Sequence, residues 1–176
     1  MERIAYNGKE NITIRQLLAH QAGLFTNDKK LTHEVLLNEE LVSNSLAKQK
    51  PYWKPGDKKG YHAWTIAMYQ NEICKRVDPL KKPLHRFFKD EIADALNIDF
   101  HIGLPKDYPK HKVAQLIPFL PQEAFRRNEN TDFASIFKGI LNPFSYFYKS
   151  LLNPPHALNL NNFNNPKYVE IPNGSA

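Results

Sequence analysis

A single cysteine, Cys74, occurs among the 176 residues. An intrachain disulfide is therefore excluded, and with it any fold held by disulfide staples; a reducing compartment is compatible with that usage. The seven histidines never pair at H-x-x-x-H or H-E-x-x-H spacing, so no metal is expected. There is no glycine-rich phosphate loop, which leaves nucleotide binding without support. No run approaches the roughly 20 apolar residues of a membrane span. Residues 1–7 show no basic-then-apolar leader, and a cytoplasmic location is compatible with that. Charge of one sign is nowhere concentrated. The net charge of +6 is spread over isolated pairs such as Lys29-Lys30, Lys58-Lys59, Lys81-Lys82 and Arg126-Arg127. Acidic residues lie between them, so solvated surface explains the charge and no nucleic-acid partner is expected. No internal repeat occurs.

What is present suffices for one ordinary domain. A hydrophobic share of 41% can build a core over this length. The strongest local signal is Ile12 to Leu24. Thr13 and Gln16 form a T-x-x-Q capping box, and Ile12 with Leu17 fits a hydrophobic staple. Gly23 is expected to close this helix, over 13–22, in the left-handed conformation. Asn7-Gly8 marks a turn before it. A second helix is expected over Leu31–Lys48, capped by Thr32. A proline-glycine loop follows over 50–60. A third helix should run from near His62 to Val77 and stop at Asp78-Pro79. Pro83 opens a fourth, with Leu84, Phe87, Phe88, Ile92 and Leu96 lining one face. Residues 99–105 read as a short strand and turn, and 106–130 as irregular. Helical spacing returns over 133–152, split by Pro143. The tail from Asn153 reads as loop. The chain is thus mostly helix and loop, with little sheet.

Four of these segments resemble elements of a known family. Leu17-Leu18-Ala19-His20-Gln21-Ala22-Gly23-Leu24 resembles the "LLxHxSGL" element of serine β-lactamase-like and penicillin-binding-protein-like hydrolases. Trp53-Lys54-Pro55-Gly56, followed by Tyr61, resembles their "W-x-P-G-x-x-x-x-Y" loop, whose tyrosine enters the active site. The usual Y-x-N is here Tyr61-His62-Ala63, a form closer to the esterase-like branch. Residues Ile92 to Pro105 resemble the "I-x-x-P-L-G-x-x-x-x-x-G-L-P" segment, with Ala95 and Asn97 in place of the proline and glycine. Tyr168 to Ala176 resembles the stretch before the next family helix. The four elements follow family order and cover most of 1–105 and the last ten residues.

The resemblance implies a mixed α/β fold of the β-lactamase/transpeptidase type, of which this chain is mainly the helical lobe. It implies hydrolysis of a small-molecule ester or amide through an acyl-serine, with no metal or organic cofactor. Tyr61 is the expected catalytic residue. An ordinary tyrosine, with a pKa near 10, is a poor base; beside ammonium groups its phenolate is favoured and can take the serine proton. His62 is expected to line the substrate cleft. The missing Y-x-N asparagine argues against β-lactam hydrolysis but not against acyl transfer. His20 reads as structural, bonding to nearby backbone; His85, His101, His111 and His156 read as surface. Cys74 shares a helical stripe with Ile66 and Val77 and reads as a buried, inert thiol.

The family nucleophile is the serine of S-x-x-K, upstream of the first element. Only twelve residues precede Thr13 here, with no serine among them. Ser45-Leu46-Ala47-Lys48 and Ser135-Ile136-Phe137-Lys138 match the string but not the order, and read as accidental. The downstream K-T-G or H-x-G strand is missing as well. The expectation is a partial domain over 1–176, inactive alone, with 106–165 an insertion or variable region that roofs a cleft. The alternative is a non-catalytic interaction module derived from the same fold. An in-frame S-x-x-K upstream of Met1 would separate the two. The apolar run 133–152 is expected to pack within the domain rather than on a membrane. Uncovered helices imply self-association.

Overall fold

The computed structural model describes residues 6–117, 138–155 and 159–171. The helices are α1 (Ile14–Leu18), α2 (His33–Leu36), α3 (Glu39–Lys48), α4 (Thr65–Val77), α5 (Leu84–Phe88), α6 (Asp94–Leu96), α7 (Tyr146–Leu151) and α8 (Pro166–Val169). A π-helical turn, Lys89–Ala93, joins α5 to α6, and 3-10 turns occupy Lys110–Lys112 and Leu160–Asn164. Among the described residues there is no strand. The strand expected over 99–105 is therefore replaced by turns. Its backbone finds one distant partner, Leu104 N–H donating to Val169 O at 2.8 Å.

Local chemistry sets most boundaries. The capping box on α1 is complete: Gln16 N–H donates to Thr13 Oγ1 at 3.1 Å, and Thr13 N–H to Gln16 Oε1 at 3.0 Å. The exit of α1 corrects the expectation. The helix is closed by His20, at φ +58°, and Gly23, also left-handed at φ +71°, turns the chain three residues later. His20 N–H donates to Leu17 O and Gln21 N–H to Gln16 O, the paired closure of a Schellman motif. The expected second helix is two, because Asn38 caps α3 by accepting from Leu41 N–H at 3.0 Å. At the far end of α3, buried Lys9 donates to Ala47 O and Gln49 O at 2.8 and 2.5 Å. Burial lowers the Lys9 ammonium to a pKa of about 8. The third helix starts at Thr65 rather than near His62, and the fourth at Leu84 after Pro83. Helical backbone over 138–141 breaks at Pro143 as expected, and Ser145 caps α7 by accepting from Tyr148 N–H; the start of that run lies outside the described residues. The tail carries α8, capped by Asn165 and opened by Pro166.

The core lies among α1 to α4. Leu17, Leu24, Leu31, Val42, Leu46, Met68 and Tyr69 are buried there, and Ile171 from the tail closes it. Glu72, only 2% exposed, ties α4 to α3. It accepts from Ser43 Oγ and pairs with Lys75 and Arg76. Cys74 is buried as expected, but Val77 on the same stripe is exposed. The face expected on the fourth helix is covered only in part. Ala93 is buried there, whereas Ile92 and Leu96 are exposed.

Candidate active site

The exit of α1 and the proline-glycine loop are zipped together. Gly60 N–H donates to His20 O at 3.0 Å, Gly56 N–H to Gln21 O at 3.0 Å, and Tyr52 N–H to Gly23 O at 2.9 Å. The approach is close enough to require a glycine. A Cβ on Gly23 would meet Trp53 O at 3.0 Å and two backbone nitrogens at 3.2 Å. Across the loop, the Trp53 indole stacks on Phe25 with 5.2 Å between centroids and 8° between planes. The same indole occupies the space a Gly60 side chain would need. The two sequence elements therefore form one built unit.

Tyr61 leaves this unit held on both sides. On one side the next backbone amide, His62 N–H, donates to His20 Nδ1 at 3.1 Å. On the other, Ser150 Oγ donates to Tyr61 O at 2.5 Å and accepts from Ala63 N–H at 3.4 Å. Trp64 Nε1 donates to Leu151 O and Thr65 Oγ1 to Leu24 O. The Tyr61 ring lies 5.2 Å from the His20 ring, and the residue is 64% exposed. Its hydroxyl makes no hydrogen bond among the described residues. The phenol is thus presented outward from a fixed backbone.

The other sequence-derived positions fall as follows. His62 is expected on a cleft wall, but its side chain is fully buried, edge-on to His20 at 5.0 Å. Burial, with the neighbouring His20, lowers its pKa to about 4, so it is neutral near pH 7. It presents no atom to a ligand here and packs against the His20 ring. Ser45 is buried in α3 and donates to Asn27 Oδ1 at 2.9 Å. Ser135 lies outside the described residues. Ser150 is the residue that sequence reasoning missed. Its only signal is a small polar residue, like Ser145, within an aromatic run, a position that implies a hydrogen-bond partner when buried. Segment 138–155 is therefore part of this site's support: Thr26 Oγ1 also donates to Lys149 O, and Asn153 Oδ1 accepts from Leu31 N–H.

Two concavities stand apart from the tyrosine loop, and Tyr61 lines neither. One, of about 650 Å³, is bounded by α2, α5, the 100–106 turn and α8, with Phe88, Phe100 and Leu104 as apolar walls and Lys106 and Lys167 among its cations. The expected surface position of His85 is modified there, since it is partly buried and lines that cavity. A second, of about 590 Å³, lies between α1, α4 and α5 and is mostly apolar. No group of three or more metal-ligating side chains occurs among the described residues.

The arrangement matches a known architecture. The chain superimposes on the crystal structure of a family VIII carboxylesterase with a TM-score of 0.74 at 26% identity, over 97% of this chain and 41% of that one. It also superimposes on EstA from Arthrobacter nitroguajacolicus Rue61a, with TM-score 0.67 and 27% identity over 97% of this chain and 42% of that one. A penicillin-binding protein homolog from Caulobacter crescentus gives 0.58 at 30% identity, over 65% and 30%. These define the class: a β-lactamase/transpeptidase-like fold, here its helical lobe. The family model "Beta-lactamase" matches residues 2–115, more than half of the chain, and the chain belongs to that family. Among curated proteins it is 31% identical over 118 residues to esterase/beta-lactamase LipL of Mycobacterium tuberculosis (strain ATCC 25618 / H37Rv). That match spans 66% of this chain and 26% of LipL. The chain thus spans about a quarter of that relative and about two fifths of the two esterase structures.

Proposed function

We propose that this chain is the tyrosine-bearing helical part of an esterase-like serine hydrolase, and that Tyr61 handles the proton during acyl transfer. One observation carries this reading: an outward-facing phenol on backbone fastened at the next residue to His20 and at its own carbonyl to Ser150. Holding the base in place removes the orientation cost from the reaction. As serine Oγ attacks the ester carbonyl, its proton passes to the phenolate oxygen. The same proton goes to the departing alkoxide as the tetrahedral intermediate collapses to the acyl-serine. Water repeats the sequence and releases the carboxylic acid. The phenolate needs cationic neighbours at the complete catalytic centre. His62 acts as packing beneath the site.

The attacking serine is assigned to polypeptide outside these 176 residues. Ser45 is buried and bonded to Asn27, which supports reading its S-x-x-K string as accidental. The chain alone is expected to give no serine-dependent burst with a p-nitrophenyl acyl ester. A burst abolished by Ser45→Ala would refute that. In a polypeptide that includes the S-x-x-K serine, Tyr61→Phe is expected to lower kcat by about 10²–10⁴-fold. Undiminished turnover would remove Tyr61 from the mechanism.

The mostly apolar concavity between α1, α4 and α5, lined by Ile14, Leu18, Val77 and Phe87, favours a second reading. In it the chain is a non-catalytic module that buries this surface against another protein. A stable, monomeric chain with no binding surface would count against it.

A further inference from the structure

His20 joins three features that a residue of mere packing would not need together. Its backbone is left-handed, at φ +58°, a region where non-glycine residues are uncommon. Its carbonyl accepts from Gly60 N–H, and its Nδ1 accepts from His62 N–H at 3.1 Å. Its ring touches both the Tyr61 ring and the His62 ring, at 5.2 and 5.0 Å. One residue therefore grips the chain immediately before and immediately after Tyr61. An imidazole nitrogen that accepts a hydrogen bond carries no hydrogen, so the single ring proton of neutral His20 belongs on Nε2.

We propose that His20 is the positioning residue of Tyr61, and that it fastens the 60–62 turn only as the neutral Nε2–H tautomer. This rests on the reading of Tyr61 given above, but its test does not. Protonation puts a hydrogen on Nδ1 and turns it from acceptor to donor. The His62 amide then faces a donor, the bond is lost, and the turn that carries the phenol is released on that side. The titratable groups against His20 are the Tyr61 phenol and the buried, neutral His62 ring. Among the described residues no ion pair joins His20 to a carboxylate. The seating of Tyr61 is thereby coupled to pH through a residue that need not touch substrate.

The test uses the 176-residue chain, labelled with ¹⁵N, and needs no turnover. Long-range ¹H–¹⁵N spectra are expected to show His20 as the Nε2–H tautomer. Hydrogen exchange of the His62 amide, corrected for its intrinsic pH dependence, should lose protection as His20 protonates. Two variants separate side chain from backbone. His20→Gly accepts the left-handed backbone without strain but offers no acceptor. It should exchange at His62 roughly threefold to tenfold faster and shift the Tyr61 ring resonances. His20→Asn tolerates the same backbone, and its side-chain oxygen replaces Nδ1. It should restore protection and make it independent of pH. An Nδ1–H tautomer, or full protection in His20→Gly, would overturn the proposal. If His20 behaves as stated while Tyr61→Phe leaves esterase turnover unchanged, the positioning stands and the catalytic reading of Tyr61 fails.

Discussion

Gly23→Ala probes whether the two family elements are truly one unit. The position carries φ +71°, so any L side chain meets the left-handed penalty of about 1–2 kcal/mol. A second cost is specific to the site. The new Cβ meets Trp53 O at 3.0 Å and backbone nitrogens of Tyr52 and Trp53 at 3.2 Å. These atoms are main chain, so the loop itself must move. The bond from Tyr52 N–H to Gly23 O, at 2.9 Å, is strained with it, at about 0.5–1.5 kcal/mol. The sum is a destabilisation of about 1.5–3.5 kcal/mol. Gly8 is the control. Its φ is +86°, but a Cβ there meets only Pro51 Cδ at 3.7 Å, an ordinary contact. Gly8→Ala should therefore cost the backbone penalty alone, about 1–2 kcal/mol. Urea unfolding of both variants, compared through midpoints at unchanged slope, gives the difference. If Gly23→Ala falls within about 0.5 kcal/mol of Gly8→Ala, the close approach of loop 52–53 contributes nothing and the reasoning is wrong.

Other outcomes follow from the same geometry. Ser150→Ala removes the donor to Tyr61 O and the acceptor for Ala63 N–H; it should cost about 1–3 kcal/mol and broaden the Tyr61 ring signals, and an unchanged spectrum would show that α7 does not buttress the loop. Burial lowers the His62 pKa to about 4 from its ordinary 6.5. The unfolded chain then binds more protons between those values, so stability rises with pH across that window and is lost as pH falls from 6.5 toward 4. His62→Phe should flatten that slope by on the order of 1–3 kcal/mol over the window, and a variant with the wild-type slope would refute the assignment. The apolar concavity that includes Leu18 is expected to drive self-association. Sedimentation should show a concentration-dependent mass that Leu18→Glu lowers, whereas a wild-type monomer at every concentration would exclude it.

Local chemistry decided some boundaries of this fold and distant contacts decided others. The start of α1, the cap on α2, the proline that opens α5 and the break at Pro143 were all legible, because each is decided by hydrogen bonds or sterics within a few residues. The exit of α1 was not: Gly23 does turn left-handed, but His20 closes the helix three residues earlier. The left-handed turn there is offset by contacts to Gly60 and His62, about forty positions away in the chain. Likewise Ile92 and Leu96 have helical spacing but stand exposed, since periodicity marks a face without saying what covers it.

The linear order of residues determined the family, the two motif segments and the choice of Tyr61 as the phenol to watch, because those rest on residue types at fixed spacing. Only the folded arrangement could place His62 inside rather than on a wall, bring Ser150 to the Tyr61 carbonyl, and set His20 Nδ1 against the next amide. Each of these is a contact between segments 40 to 90 residues apart. Such contacts are fixed by how helices and loops pack around a shared core, and no short-range preference encodes them.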